Sequence, residues 1–260
     1  MKKNKEGDFL NLNNESIESL QQIYKKIYQN AVDLIFDGET LLEKGRLARS
    51  YLCFQIAIEE FGKLPMLNTI AVKKHNGEKI DWKKLNQRLR SHQKKNKMSK
   101  ILKQFFYTTI LMEKSKEPLL EISFEDLKKL FEEYKNDIMQ NPSIFIMQQI
   151  TGIIKGVKNI EEFEKEINNS NNKKNQSLYA DFDGKDFLSP SDIIDEEDVK
   201  KIMLDAYFQR LIIELPKFHE NGFVLFNKGD IPKEVNTVGD FTLSLLNQLE
   251  SIDRDLDEQK

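Results

Sequence analysis

One cysteine, one tryptophan, three histidines and six prolines are all that 260 residues supply of these types. Each shortage excludes something. A lone cysteine, Cys53, cannot form a disulfide framework within the chain, and its presence fits a reducing compartment, so a cytoplasmic protein is expected. With one Cys and three scattered His, a zinc cluster is not expected either. The glycines fall into neither of the standard phosphate-cradling spacings. No apolar run approaches the roughly 20 residues of a membrane span. The basic start, MKKNKEGDF, has no apolar segment behind it, so no signal peptide and no membrane partner are expected. Net charge is −3, so a nucleic-acid role would have to come from a local patch.

What is abundant is Leu, Ile, Lys and Glu, a composition that favours helices. The most apolar stretch lies in Gly45–Pro65, from Leu47 to Leu64. Leu52, Cys53, Phe54, Ile56, Ala57 and Ile58 fall on every side of a helix there, the pattern of a helix buried at the centre of a bundle. Its last turn nevertheless carries Glu59, Glu60 and Lys63 before Pro65. Buried charges need partners. Two readings are open: Glu59 pairs with Lys63 at i,i+4 on a half-exposed helix end, or the three face another helix as a polar pocket.

In front of this helix, Ile17, Leu20, Tyr24, Ile27, Ala31, Ile35 and Leu42 form a helical stripe that starts at a Ser16 or Asn14 cap and stops at Gly45. The short connection makes the two an antiparallel hairpin. Pro65 predicts a kink or break. Asp81 caps a helix whose apolar face is Trp82, Leu85 and Leu89, and a change of phase predicts a break near Asn96–Ser99. Further helices are expected over about 101–114, 123–139, 143–157, 195–219 and 238–253. Residues 168–176 (NNSNNKKNQ) read as a flexible loop. Residues 177–187 (SLYADFDGKDF) read as one small β-like hairpin, with Tyr179, Phe182 and Phe187 as packing aromatics. The expected organisation is all-α: a tail over 1–14, one helical domain over 15–250, and a charged tail over 251–260.

The segment with most chemical promise is Arg88-Leu-Arg-Ser-His92. From Lys83 to Lys103 there are nine Lys or Arg and no acid. On one continuous helix Arg88 and His92 lie side by side, with His92 at the edge of the Leu85/Leu89 face and partly desolvated. Such an imidazole can act as a general base on the 2′-hydroxyl of RNA, while the guanidinium stabilises charge on the phosphorane. No metal or other cofactor is needed for that step. Arg90, Lys94, Lys95 and Lys97 would bind the RNA backbone. A solvated basic face is the competing reading of the same spacing.

Several segments together resemble a known family. Asn30-Ala-Val-Asp-Leu, Leu41-Leu-Glu-Lys-Gly-Arg46-Leu-Ala-Arg-Ser50, Ala57-Ile-Glu-Glu-Phe-Gly-Lys63, Arg88–His92 and Ser177-Leu-Tyr-Ala-Asp-Phe182 resemble, in this order, AbiV-type abortive infection proteins. The resemblance implies a HEPN-like helical bundle, often dimeric, and bacterial defence against phage. Many HEPN proteins are metal-independent ribonucleases with an Arg-x4–6-His motif. Arg88 and His92 occupy that place here with three intervening residues. Glu60 and Lys63, with Glu59, would be supporting pocket residues. RNA (tRNA, rRNA or mRNA), a phage-encoded trigger and a second copy of the chain are the implied partners. A non-enzymatic module that blocks translation or a phage protein by contact is the alternative.

Overall fold

Helix α1 (Ile17–Glu43) begins where Ser16 accepts a hydrogen bond from the Ser19 amide at 3.1 Å. Its buried side chains, Leu20, Tyr24, Ile27, Ala31 and Ile35, recur every three or four residues, so a single stripe faces inward. It runs unbroken through Gly38, whose carbonyl accepts from Ser50 Oγ at 2.7 Å. The exit is a Schellman turn: the Gly45 amide bonds to the Leu42 carbonyl at 2.9 Å and the Arg46 amide to Leu41 at 2.8 Å. Gly45 has φ +64, where a side chain would clash with the backbone. Helix α2 (Leu47–His75) then returns along α1, giving the antiparallel hairpin.

The structure, a computed structural model, describes residues 11–92, 94–96, 98–99, 129, 169–182, 184–214, 218–223, 225 and 227. The helices expected over 101–114, 123–139, 143–157 and 238–253 fall outside the described residues, residue 129 excepted. Helix α3 (Trp82–Arg90) follows the hairpin, capped by the Asp81 carboxylate, which accepts from the Lys84 amide at 2.9 Å. Residues 92, 94–96, 98–99 and 169–176 are also helical. Strands β1 (Asp181–Phe182) and β2 (Phe187–Leu188) pair antiparallel, Phe182 opposite Phe187, around a turn in which Gly184 has φ +99. Short α4 (Pro190–Ile193), long α5 (Glu196–Glu214) and short α6 (Phe218–Asn221) complete the described chain. The described fold is all-α apart from this small hairpin.

Helix α2 is the centre. It packs against α1, α3, α4 and α5, while α6 lies on α1. Phe54, Ala57, Phe61, Leu64, Leu67 and Ala71 are fully buried on it. It continues as one helix through Pro65, so of the kink or break expected from sequence the break does not occur. An interior proline costs a helix about 3 kcal/mol. Burial of Leu64, Met66 and Leu67 on either side returns about 1.5–3 kcal/mol each. Packing therefore outweighs the local defect.

Three other expectations change. Residues 169–176 form a helix, not a flexible loop. The break expected at Asn96–Ser99 lies instead at Ser91, whose ψ of 115 ends α3. Part of the 1–14 tail is docked: Leu12 is buried, and both its backbone groups bond to the Asn86 amide, each at 2.8 Å. Of the hairpin aromatics, Phe182 and Phe187 pack on each other with ring centroids 5.3 Å apart, and all three keep an exposed side, Phe187 at 79 %. Cys53 is half-buried, with its thiol pushed up by burial and by Asp37.

The Schellman turn gives a direct test. Gly45→Ala should lower unfolding stability by about 1–2 kcal/mol, the cost of a left-handed L-residue, and Gly45→Asn by less. Urea denaturation of the two variants measures both.

Candidate functional site

On α2 the polar residues Gln55 and Glu59 and the side-chain-free Gly62 follow one another at i, i+4 and i+7 inside an apolar sequence. That spacing lines them along one face. The helical residues 92, 94–96 and 98–99 lie across it. A Cβ on Gly62 would stand 2.4 Å from the Lys95 carbonyl oxygen, so only glycine permits this approach. Ser91 makes the stretch possible: it ends α3 and caps the next turn, accepting from the Lys94 amide through Oγ at 3.3 Å and from the Lys95 amide through its carbonyl at 3.1 Å.

The layers that meet are polar. Gln55 Nε2 donates to Asn96 Oδ1 at 3.1 Å, and Asn96 Nδ2 donates to Asn171 Oδ1 at 3.0 Å. One turn along, Glu59 is 2 % exposed and has three cationic or imidazole partners. His92 Nδ1 lies 2.5 Å from Oε2, Lys95 Nζ lies 3.3 Å from the same oxygen, and Lys174 Nζ lies 2.9 Å from Oε1. At the far end Gln209 Nε2 donates to the Ser99 carbonyl at 2.6 Å. Asn171 and Lys174 reach the seam because residues 169–176 are helical and place them one turn apart.

Glu59 is the anion on which this cluster converges. Burial pushes its carboxyl up, but hydrogen bonds from Lys174 and His92 and the charges of Lys95 and Lys174 outweigh burial and hold it below the ordinary value. Burial pushes the Lys95 ammonium down, further than Glu59 brings it back. Lys63 and Glu60 act on Lys95 too, so they stand beside it. They pair with each other at 2.5 Å, i,i+3, in place of the Glu59–Lys63 pair that i,i+4 spacing suggested.

The predicted site residues therefore fare differently. Glu59, Glu60, Lys63, His92 and Lys95 come together. Arg88 is half-buried at the end of α3, on the other side of the Ser91 break, so it does not share one helix face with His92. His92 is 62 % exposed, less desolvated than expected, and faces a carboxylate as well as cations. Arg90 is exposed and Lys94 half-buried. Lys95 is buried at 5 %, turned to Glu59 instead of outward as an RNA contact. Lys97 is outside the described residues. Lys174 was not foreseen, because an Asn/Lys-rich stretch reads as a loop. The signal that could have found the seam is Gln55 and Glu59 at helical spacing within an apolar run. Among the described residues, no group of His, Cys, Asp and Glu could hold a metal ion.

Chemically, the arrangement can orient an imidazole. An ionised carboxylate only accepts, so His92 Nδ1 carries the proton in that contact and Nε2 is the nitrogen available for proton transfer.

Acid should act through Glu59. Its folded carboxyl lies below the ordinary 4.5, so its contribution to stability is full above that pH and is lost as pH falls through the lower folded value. Glu59→Gln should be less stable than the wild type at pH 7, with the gap closing as pH falls below 4.5 and through the lower folded value, where the wild-type carboxylate protonates. Chemical denaturation at several pH values measures the gap.

Among the described residues no helix is long and apolar enough to cross a membrane. No curated protein and no solved structure matches the chain. A family model for AbiV, of the HEPN group, matches residues 19–207, which takes in the hairpin, the basic segment, the 169–176 helix and most of the way along α5. The chain belongs to the AbiV-type abortive infection family of the HEPN superfamily.

Proposed function

We propose that this protein is an anti-phage toxin that stops growth or translation in infected cells, acting as a metal-independent endoribonuclease with His92 as general base. The observation that carries this reading is the Glu59–His92 contact: a buried carboxylate on Nδ1 of an otherwise exposed imidazole. His92 Nε2 takes the proton of an RNA 2′-hydroxyl, O2′ bonds to phosphorus, and the bond to the 5′ oxygen breaks, with a proton passing to that oxygen from the imidazolium or water. Arg88 offsets charge on the phosphorane, and exposed Arg90 and half-buried Lys94 hold the flanking phosphates. The partners are RNA (tRNA, rRNA or mRNA), a phage-encoded protein that relieves restraint of the toxin, and a second copy of the chain, which would set two sites along one strand.

The second reading is a helical module that blocks translation or a phage protein by contact alone. The break at Ser91 favours it, since Arg88 and His92 are not fixed by one helix.

Expression of the protein, with phage infection as the trigger, followed by RNA sequencing, separates the two. His92→Ala should abolish cleavage and toxicity together. Intact RNA with arrested protein synthesis, or a fully toxic His92→Ala, would overturn the ribonuclease reading and favour the module.

A further inference from the structure

A carboxylate can orient an imidazole only if it is itself fixed and ionised. Glu59 is 2 % exposed, and burial alone would neutralise it. Its two oxygens have divided their tasks. Oε2 faces His92 and Lys95, both on the 92–99 stretch, while Oε1 is held by Lys174 from the separate 169–176 helix. Lys174 Nζ therefore fixes rotation of the carboxylate about its last bond, from the side opposite the imidazole. Its side chain is 11 % exposed and its ammonium is spent on Glu59, so it is not placed to hold a substrate phosphate.

Lys174 in turn sits on an anchored helix. Asn171 Oδ1 accepts from Asn96 Nδ2 at 3.0 Å, which ties the helix to the 92–99 stretch one turn before Lys174. The neighbouring Lys173 pairs with Asp198 in the first turn of α5. The turn ends with Ser177 Oγ donating to the Lys174 carbonyl at 2.6 Å and the Tyr179 amide donating to the Asn175 carbonyl at 3.0 Å. Lys174 is thus presented to Glu59 by a helix with restraints on both sides.

The geometry points to Lys174 as a positioning residue: it holds the Glu59 carboxylate in the orientation that keeps the proton of His92 on Nδ1 and leaves Nε2 as the base. This deepens the ribonuclease reading and rests on it for its catalytic consequence, but the orientation of His92 can be measured without activity. The charged groups around Glu59 are His92 and Lys95 from the 92–99 stretch, Lys174 from the 169–176 helix, and Glu60 and Lys63 from α2 itself.

Two measurements on the full-length protein test it. The first is nitrogen-15 NMR of the three histidine side chains above the titration range, with His92 assigned by its absence in His92→Gln. The neutral imidazole should show the Nδ1–H tautomer in the wild type, and Lys174→Met should return it to a mixture. The second is cleavage of a fluorogenic single-stranded RNA oligonucleotide across pH. Lys174→Met should lower kcat about tenfold, the loss of one charge-assisted hydrogen bond, with KM unchanged. Lys174→Arg should regain the tautomer and most of the rate. Lys173→Met is the control: it removes the pair to Asp198 from the same turn without touching Glu59. Its tautomer should stay Nδ1–H and its rate should fall far less than that of Lys174→Met, because the Asn96–Asn171 bond and the Ser177 turn still hold the helix.

A Lys174→Met protein that keeps the Nδ1–H tautomer overturns the proposal, whatever its rate. So does a Lys173→Met protein that changes as Lys174→Met does, since the effect would then be packing of the helix. If the wild type cleaves no RNA while His92 still changes tautomer in Lys174→Met, the positioning role stands and the ribonuclease reading fails.

Discussion

A buried carboxylate that remains charged is the constraint around which this structure is arranged. Taking one ion out of water costs several kcal/mol even after relaxation, and Glu59 sits on the central helix of the bundle, where water does not reach it. It is tolerated because two lysines and an imidazole come to it from two other segments. The requirement runs both ways. Lys95 is itself buried and Lys174 half-buried, and without Glu59 each would lose the charge that compensates it. The 92–99 stretch and the 169–176 helix, which are distant in sequence, are therefore fixed to α2 by the same anion.

This explains why the seam is polar in the middle of an apolar helix. Gln55, Asn96 and Asn171 make a ladder in which each amide partner is specific, unlike the interchangeable contacts of Leu and Ile. Gly62 brings the two backbones together where a side chain would force them apart. Apolar packing of α1 and α5 on α2 supplies the bulk of the burial. The seam supplies register: it determines which residue of 92–99 stands opposite which residue of α2. A shift by one residue would carry Lys95 away from Glu59 and place its side chain against apolar surface. The imidazole of His92 inherits its orientation from that register, which is why the site depends on residues remote from any substrate.

Much of the fold was legible. The stripe of α1, the Ser16 and Asp81 caps, the glycine stop at position 45, the all-round apolar character of α2 and the small hairpin near Gly184 are local patterns with local causes. The misreadings have one physical cause in common. Pro65 predicts a kink or break from local strain alone, and burial on either side carries the helix through without a break. Residues 169–176 predicted a loop because asparagine and lysine are weak signals unless a partner for them is known, and their partners are Asn96 and Glu59. Apolar phase alone points to a break near Asn96–Ser99, but Ser91 acts as the cap, and Asn96 and Ser99 are held inside by Gln55 and Gln209.

The sequence by itself determined the helical hairpin, the existence of an acid-free basic segment, and the presence of carboxylates that would need partners, because periodicity, caps and charge runs act over a few residues. It also carried the resemblance to the AbiV family. Only the tertiary structure decided that Glu59, rather than Glu60, meets His92, that Lys95 turns inward, and that Lys174 completes the cluster. Which of several equivalent cations pairs with a buried anion depends on where distant segments are brought by packing. No spacing along the chain records that.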